Sequence, residues 1–525
     1  MAEAQVELVV GLLVVTIPLV ALARRANVPY PIALVLGGLA LGFVPGLPSI
    51  HLDPNLVLLL FLPPLLYWEA ITAPTDIMWA NRNQIAWLAI GLVLVTTVVV
   101  AVAAHAVVPN LPWAVAFVLG AIVAPTDELA SAPVLERFRM PRHLIAIVEG
   151  ESLVNDAISL VLYAAAVTAA VTGVFDLGRT SLYLIVAAIG SIVLGLAAGR
   201  AAVEGWRRLA DTELQSVISL LLPFVAYLPA VRLGTSGVLG VVTAGVYANQ
   251  FTPIVMTPES RLRLIGFWET FVFVANALLF LLVGLQLHGI AAGVFQRYSW
   301  QSVLWSTLAI NFVVVFVRFA CILLTEYLPF VGGSSEHSAP DWRHAMIASW
   351  SGLRGGVSLA AALAIPISVS GGVPFPHRDL VIFLTFTVIV VTLVGGGLTL
   401  PLAIARLHIS EGGQEEDQDM QRALAGASKA ALERIDALER EHRLEPEHAQ
   451  ALRRRYEQLR ERAKHPTDAR VRHDARQRSS AESEVIEAQR EALIGLRERG
   501  EIDNAVLRRV QLVLDLAHTR IGREK

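Results

Sequence analysis

Glu149-Gly150-Glu151-Ser152-Leu153-Val154-Asn155-Asp156 puts three carboxylates within eight residues, and the stretch that follows, Ala157 to Val171, is almost wholly apolar. Read as a helix, the run places Asp156 well inside a bilayer-length segment. A charge at that depth costs roughly 2.5–3.5 kcal/mol on insertion scales, so intramembrane ionisable groups mark ion pathways and proton relays. Helical spacing sorts the group. Ser152 and Asp156 are four apart, as are Glu151 and Asn155, which gives two polar stripes on adjacent faces. Glu149 lies two turns before Asp156 on roughly the same face, where a position at the membrane interface is its plainer reading.

A second polar set is Ala124-Pro125-Thr126-Asp127-Glu128, followed by Pro133, inside an apolar segment. Proline removes a backbone donor and clashes with the preceding turn, so this span is expected to be discontinuous rather than merely kinked. Unwound backbone at membrane depth survives only where it is buried in protein or lines a cavity, and transporters use such breaks to hold ions. A third set, Trp350-Ser351-Gly352-Leu353-Arg354-Gly355-Gly356-Val357-Ser358, surrounds one arginine with small residues. Arginine keeps its charge, so Arg354 and the other intramembrane arginine, Arg318, need carboxylates or carbonyls. They can neutralise two of Asp127, Glu151 and Asp156. The carboxylate left over can hold either a proton or a small cation, which is the minimum requirement for cation/proton exchange. Elsewhere, Glu69 ends an apolar run and faces either a cavity or the interface. His105 reads as a neutral, satisfied histidine, and Asn276 and Gln286 as interhelical glue.

The elements that must position these residues are membrane helices. Hydrophobic residues make up 55% of the 525 and charged residues 17%, which excludes a soluble chain of this length. A net charge of −3 gives no reason to expect a nucleic-acid partner. The lone Cys321 excludes a disulfide framework. The first apolar run begins at Val6 with no basic region before it, and reads as a span rather than a signal peptide. With about 20 apolar residues per crossing, the chain reads as an all-α polytopic protein of about 13 spans. They centre near residues 15, 38, 62, 95, 122, 158, 192, 221, 242, 275, 312, 354 and 391. With the amino terminus outside, only Arg179, Arg232, Arg297 and Arg378 fall in outer loops. The other loop arginines, among them Arg24, Arg82, Arg139, Arg142, Arg207 and Arg406, fall in inner ones. This bias puts the carboxyl-terminal tail in the cytoplasm. Composition divides the chain into a membrane domain, 1–410, and a charged tail, 411–525, in which the first lysine of the sequence, Lys429, appears.

Four pieces, Phe61-Leu62-Pro63-Pro64-Leu65-Leu66, Ala124-Pro125-Thr126-Asp127, Glu149 to Asp156 and Gly352-Leu353-Arg354-Gly355, carry a family resemblance. In them the chain resembles the monovalent cation/proton antiporters that include the bacterial and archaeal NhaP-type proteins and the animal sodium/proton exchangers. The resemblance implies thirteen spans with inverted repeats, a homodimer in the cell membrane, a part in pH homeostasis, and two crossed discontinuous helices, the fifth and twelfth spans. It implies that Asp156 alternately binds Na+ and H+. Ser152 and Thr126, the latter through its carbonyl, would complete the cation shell, and Glu151 would help through water. It also implies that Arg318 holds Glu151 with Asn155 nearby, and that Asp127 and Arg354 compensate the broken-helix ends. Asn155 before Asp156, instead of a second aspartate, marks electroneutral members, which exchange one cation per proton. The departure is Glu128, where the family usually has proline; it alters the break or adds a second titrating group, and with Glu69 and Glu149 it is a candidate for access or pH tuning.

No cofactor is expected beyond the transported ions: Na+, Li+ or K+, and H+. The lipid bilayer and a second copy of the chain are the expected partners, and no soluble partner is identified. Potassium as the principal cation is the nearest alternative, because oxygen ligands suit all alkali ions. An intramembrane hydrolase finds no HExxH metal motif, no Gly-x-Ser-x-Gly elbow and no second Gly-x-Gly-Asp aspartate motif, so the chain is not read as an enzyme. The tail shows helical patterning interrupted at Pro446 and at His465-Pro466, with apolar positions at Leu432, Ile435, Leu438, Val485, Ile486 and Leu512 to Leu514. It reads as a small helical domain, regulatory or simply solvated.

Overall fold

The computed structural model describes residues 2–26, 28–44, 54–128, 131–173, 177–209, 211–327, 342–369, 372–407, 412–464 and 469–499, with 507, 510, 511 and 514. His465, Pro466, Leu512 and Val513 of the tail lie outside the described residues, as do Leu129 and Ala130. The chain divides into two compact units, Met1–Glu411 and Gly412–Lys525. The described residues are helical, with one isolated antiparallel bridge between Ser368 and Pro374 and no strand.

The first unit opens with α1 (Ala2–Arg25), α2 (Tyr30–Gly42), α3 (Pro54–Thr72), α4 (Thr75–Ala80) and α5 (Arg82–Ala86). A π-helical segment, Trp87–Leu92, carries α5 into α6 (Val93–Val107). There follow α7 (Trp113–Val123), α8 (Ala132–Arg137), α9 (Arg142–Thr172), α10 (Leu177–Arg208), α11 (Thr212–Arg232) and α12 (Gly237–Val255). The unit ends with α13 (Pro258–Arg297), α14 (Trp300–Tyr327), α15 (Trp342–Trp350), α16 (Gly356–Leu363), α17 (Arg378–Val390) and, after a second π-helical segment at Val391–Gly396, α18 (Gly397–Leu407). The second unit holds α19 (Gly412–Arg440), α20 (Pro446–Lys464) and α21 (Ala469–Glu498). In it Arg453 of α20 bonds both Asp436 and Glu439 of α19, the second at 2.8 Å.

Eight helices among the described residues are long and apolar enough to cross a membrane: Arg82–Val107, Arg142–Thr172, Ile185–Arg208, Thr212–Arg232, Gly237–Val255, Pro258–Arg297, Trp300–Thr325 and Arg378–Leu407. The remaining centres expected from the sequence fall on α1, on the short apolar helices α2, α3 and α7, and in the gap between α15 and α16. The two interruptions lie where the sequence breaks the helical pattern. α7 stops one residue before Ala124-Pro125, and α8 restarts with a proline in its first turn, where a missing N–H is harmless. α15 stops at Trp350, and α16 restarts only after Gly352 and Gly355.

α9 joins three packed regions, and its Leu144, Ile147 and Val148 belong to one with Ile85, Leu135 and Ile347. Its Leu153 and Ala157 belong to a buried cluster with Leu66, Tyr67, Ala244 and Trp268. One to three turns on, Tyr163 and Ala166 belong to another, with Leu119, Ile122, Leu353 and Val388 from the interrupted segments and α17. The polar residues of α9, 149–156, therefore lie among apolar cores that follow one another along the helix.

Candidate ion site at the broken helices

The interrupted segments meet at their breaks, and backbone groups released by the breaks find partners there. The Asp127 N–H donates to the Leu353 carbonyl at 2.7 Å. The Asp127 carboxylate accepts the Gly356 N–H, at the start of α16, at 2.9 Å. Arg354 works at the opposite polarity: its Nε donates to the carbonyl of Val123, the last residue of α7, at 3.1 Å, and its Nη1 to Gly352 O. The anion thus sits at a helix start and the cation at a helix end, each where the helix dipole favours it. The Arg354 N–H is received by Thr392 Oγ1 at 3.2 Å, from the π-helical segment after α17. Tight packing here requires glycine. A Cβ at Gly355 would overlap the Asp127 carboxyl, and one at Gly352 would overlap the Arg318 side chain.

Glu151 and Arg318 form a bidentate pair, Nη1 to Oε1 and Nη2 to Oε2, the latter at 3.1 Å. Each side chain is 2% exposed. Arg318 uses its remaining donors on Ser349 O at 3.1 Å and Ala348 O at 2.9 Å, in the last turn of α15. A buried ion pair is tolerable only when its spare donors are satisfied in this way.

Thr126, in the first break, is tied to α9 three times. Its hydroxyl donates to Glu151 Oε1 at 3.2 Å and accepts from Asn155 Nδ2 at 2.9 Å, and its carbonyl accepts from Ser152 Oγ at 2.9 Å. Thr126, Glu151, Ser152, Asn155 and Arg318 are therefore one network. Asp156, one turn past Ser152, is 4% exposed. Among the described residues no side chain donates to its carboxylate and no arginine or lysine pairs with it. Nearby acceptors are also unused: Asn155 Oδ1, Glu69 Oε2 and Glu128 Oε2 are buried without a hydrogen-bond partner among the described residues. Buried oxygens without donors are rare and need an occupant or a proton. No cluster of three or more His, Cys, Asp or Glu side chains arranged to hold a metal occurs among the described residues. Ser152, one turn before Asp156 on α9, and Thr126 add a hydroxyl and a carbonyl, and carboxylate, hydroxyl and carbonyl oxygens are the ligand types that suit a hard cation.

Glu149 sits two turns before Asp156 on α9. His105 bonds the Leu111 carbonyl at 2.7 Å and stacks on Trp113. Asn276 departs from its expected role as interhelical glue. It is fully buried, yet neither its Oδ1 nor its Nδ2 has a hydrogen-bond partner among the described residues. Its Oδ1 borders Gly356 at the start of α16. Thr392 was not singled out by the sequence at all; its only signal is a lone hydroxyl in an apolar run.

Interrupted helices meet at mid-segment, and the buried Asp156 has no partner among the described residues, an arrangement of the kind that ion-translocating membrane proteins use. The particular family follows from the sequence. The family described as sodium/hydrogen exchanger, transmembrane, matches residues 10–406, and the chain belongs to it. It is a multi-pass membrane protein of a cation/proton antiport family. An uncharacterised Na+/H+ exchanger of Mycobacterium tuberculosis is 34% identical over 518 residues, covering 95% of this chain and 93% of that protein. A sodium, potassium, lithium and rubidium/H+ antiporter of Bacillus pumilus is 33% identical over 386 residues, 71% of this chain and 57% of that one. The fold is similar to that of the sodium proton antiporter MjNhaP1 from Methanocaldococcus jannaschii, with a TM-score of 0.61 at 20% identity, covering 77% of this chain and 99% of that one.

Proposed function

We propose that the protein is a secondary active Na+/H+ antiporter that exchanges one monovalent cation for one proton, with the two ions competing for Asp156. The observation that carries this reading is the unequal treatment of the α9 carboxylates: Glu151 is held by Arg318, whereas Asp156 is buried with no partner among the described residues. As a carboxylate, Asp156 binds the cation with Ser152 Oγ, the Thr126 carbonyl and water, and Glu151 assists through water. An arriving proton converts Asp156 to the neutral acid and releases the cation. One positive charge crosses in each direction, so the exchange is electroneutral. Access alternates as the broken-helix unit moves against the rest of the membrane domain, in the manner of inverted-repeat transporters. The broken helices are the crossed fifth and twelfth of thirteen spans in a homodimer of the cell membrane, with the amino terminus outside. Residues 1–410 transport, and the helical tail, 411–525, lies in the cytoplasm as a regulatory or simply solvated domain.

A second reading makes potassium the principal cation. The Bacillus pumilus relative, whose name includes potassium and rubidium, and an all-oxygen ligand set support it. The test is proton flux in proteoliposomes under gradients of sodium, lithium or potassium, repeated with an imposed membrane potential. Sodium-driven proton movement indifferent to the potential is expected. Potassium driving the flux at lower concentration would favour the second reading. Absence of any cation-dependent proton movement would sink both.

A further inference from the structure

α16 is eight residues long, every one of them buried, and its two ends are held differently. Its far end is closed by Arg378, which donates from Nη2 to the Leu363 carbonyl at 3.2 Å and from Nε to the Ile365 carbonyl at 3.0 Å. Its start follows Gly355, an N-cap with no side chain to receive the orphan N–H groups that open an α-helix. Asp127 accepts the first of them, from Gly356, at 2.9 Å. The next two, from Val357 and Ser358, are those that an N-cap side chain ordinarily serves. Neither has an acceptor among the described residues.

Asn276 on α13 borders this start. A Cβ at Gly356 would lie 3.8 Å from Asn276 Oδ1 and 3.6 Å from Leu279 Cδ1, both ordinary contact distances. Ala275 and Leu279 of the same helix pack in one cluster with Val357 and Ala360 of α16. Asn276 is fully buried, and both polar atoms of its amide lack partners among the described residues. Asparagine is among the best N-cap residues, because its oxygen accepts from the second or third N–H of a helix. Two unserved donors and one unserved acceptor therefore lie on packed elements, α16 in an interrupted span and α13 in a continuous one. Movement of one element against the other can join them.

We propose that Asn276 is the cap that α16 acquires in the opposite access state. As the broken-helix unit moves against the rest of the membrane domain, the Asn276 oxygen takes the N–H of Val357 or Ser358. Resting on the antiporter reading, this makes Asn276 a positioning residue for the conformational step. The unserved amide disfavours the arrangement described and the new bond favours the other, so Asn276 sets the balance between them.

The experiment compares the full-length wild type with Asn276→Leu, which keeps the volume and removes the amide. Replacing an unpartnered buried amide with an apolar group of the same shape is neutral or favourable to a fold. The thermal midpoint of Asn276→Leu is thus expected to match or exceed that of the wild type. Its maximal rate of sodium-driven proton flux in proteoliposomes is expected to fall roughly fivefold, the equilibrium weight of one lost cap. Hydrogen exchange in peptides that span Val357 and Ser358 is expected to quicken, because no capped state protects them. A thermal midpoint that falls together with the rate would make Asn276 a packing residue and overturn the proposal. Unchanged flux with unchanged hydrogen exchange would overturn it equally. Should Asn276→Leu fail to fold, Asn276→Ala takes its place in the same three measurements. A wild type without cation-driven proton flux means that the antiporter reading has failed, whereas an active wild type whose hydrogen exchange matches the variant's refutes the cap alone.

Discussion

At the scale of single residues, the site separates two carboxylates that the sequence places five positions apart. Glu151 is neutralised by Arg318 and tied to Thr126, while Asp156 carries no fixed counter-charge among the described residues. If Asp156 exchanges a cation for a proton, the apparent KM for sodium rises as pH falls, by about tenfold per pH unit for each competing proton in the acid limit. The maximal rate stays level. Sodium titrations of proton flux at several pH values check this, and a KM independent of pH would exclude competition. Removing Arg318 strands a buried charge, which costs about 3–5 kcal/mol for pairs of this kind. Arg318→Ala is accordingly expected to lower the thermal midpoint and the yield of monodisperse protein. Adding Glu151→Gln in that background is expected to recover part of the loss. Much of this residue chemistry was legible: Ser152 and Asp156 share a face through their spacing alone. What spacing did not show is which backbone acceptors are used. Arg354 bonds the carbonyls of Val123 and Gly352, and a carbonyl is present at every residue, so no side-chain type advertises it. Asn276 misled for the opposite reason, since a buried amide usually finds a partner and this one does not.

At the scale of elements, the two broken helices stabilise one another by exchanging charge and backbone bonds at their ends. Pro125 and the glycines around Arg354 announced the breaks in the sequence. That the breaks meet depends on residues more than two hundred positions apart, and no local pattern carries it. The contact leaves no room for a side chain at Gly355, because a Cβ there would overlap the Asp127 carboxyl that caps Gly356. Gly355→Ala is therefore expected to displace Asp127 and to reduce both thermal midpoint and exchange rate. Gly266→Ala on α13 serves as the control, since nothing lies within 4 Å of its added Cβ, and it is expected to behave as wild type in both measurements. Equal effects from the two would show that the break does not depend on this close approach.

At the scale of the molecule, composition separated a membrane unit from a charged helical unit. The chain forms two compact units that divide between Glu411 and Gly412. Apolar run length located the long spans readily, because a bilayer demands continuous hydrophobic segments. It located the short and interrupted ones less well, because polar residues and prolines at mid-depth erase the run at the functional positions. The central claim is that one carboxylate, Asp156, carries both ions through this unit. The most direct measurement is sodium-driven proton flux in proteoliposomes holding equal amounts of correctly inserted wild-type and Asp156→Asn protein. Exchange by the wild type and none by the variant, with any of the cations, is the expected result. Flux at the wild-type rate from Asp156→Asn would contradict it.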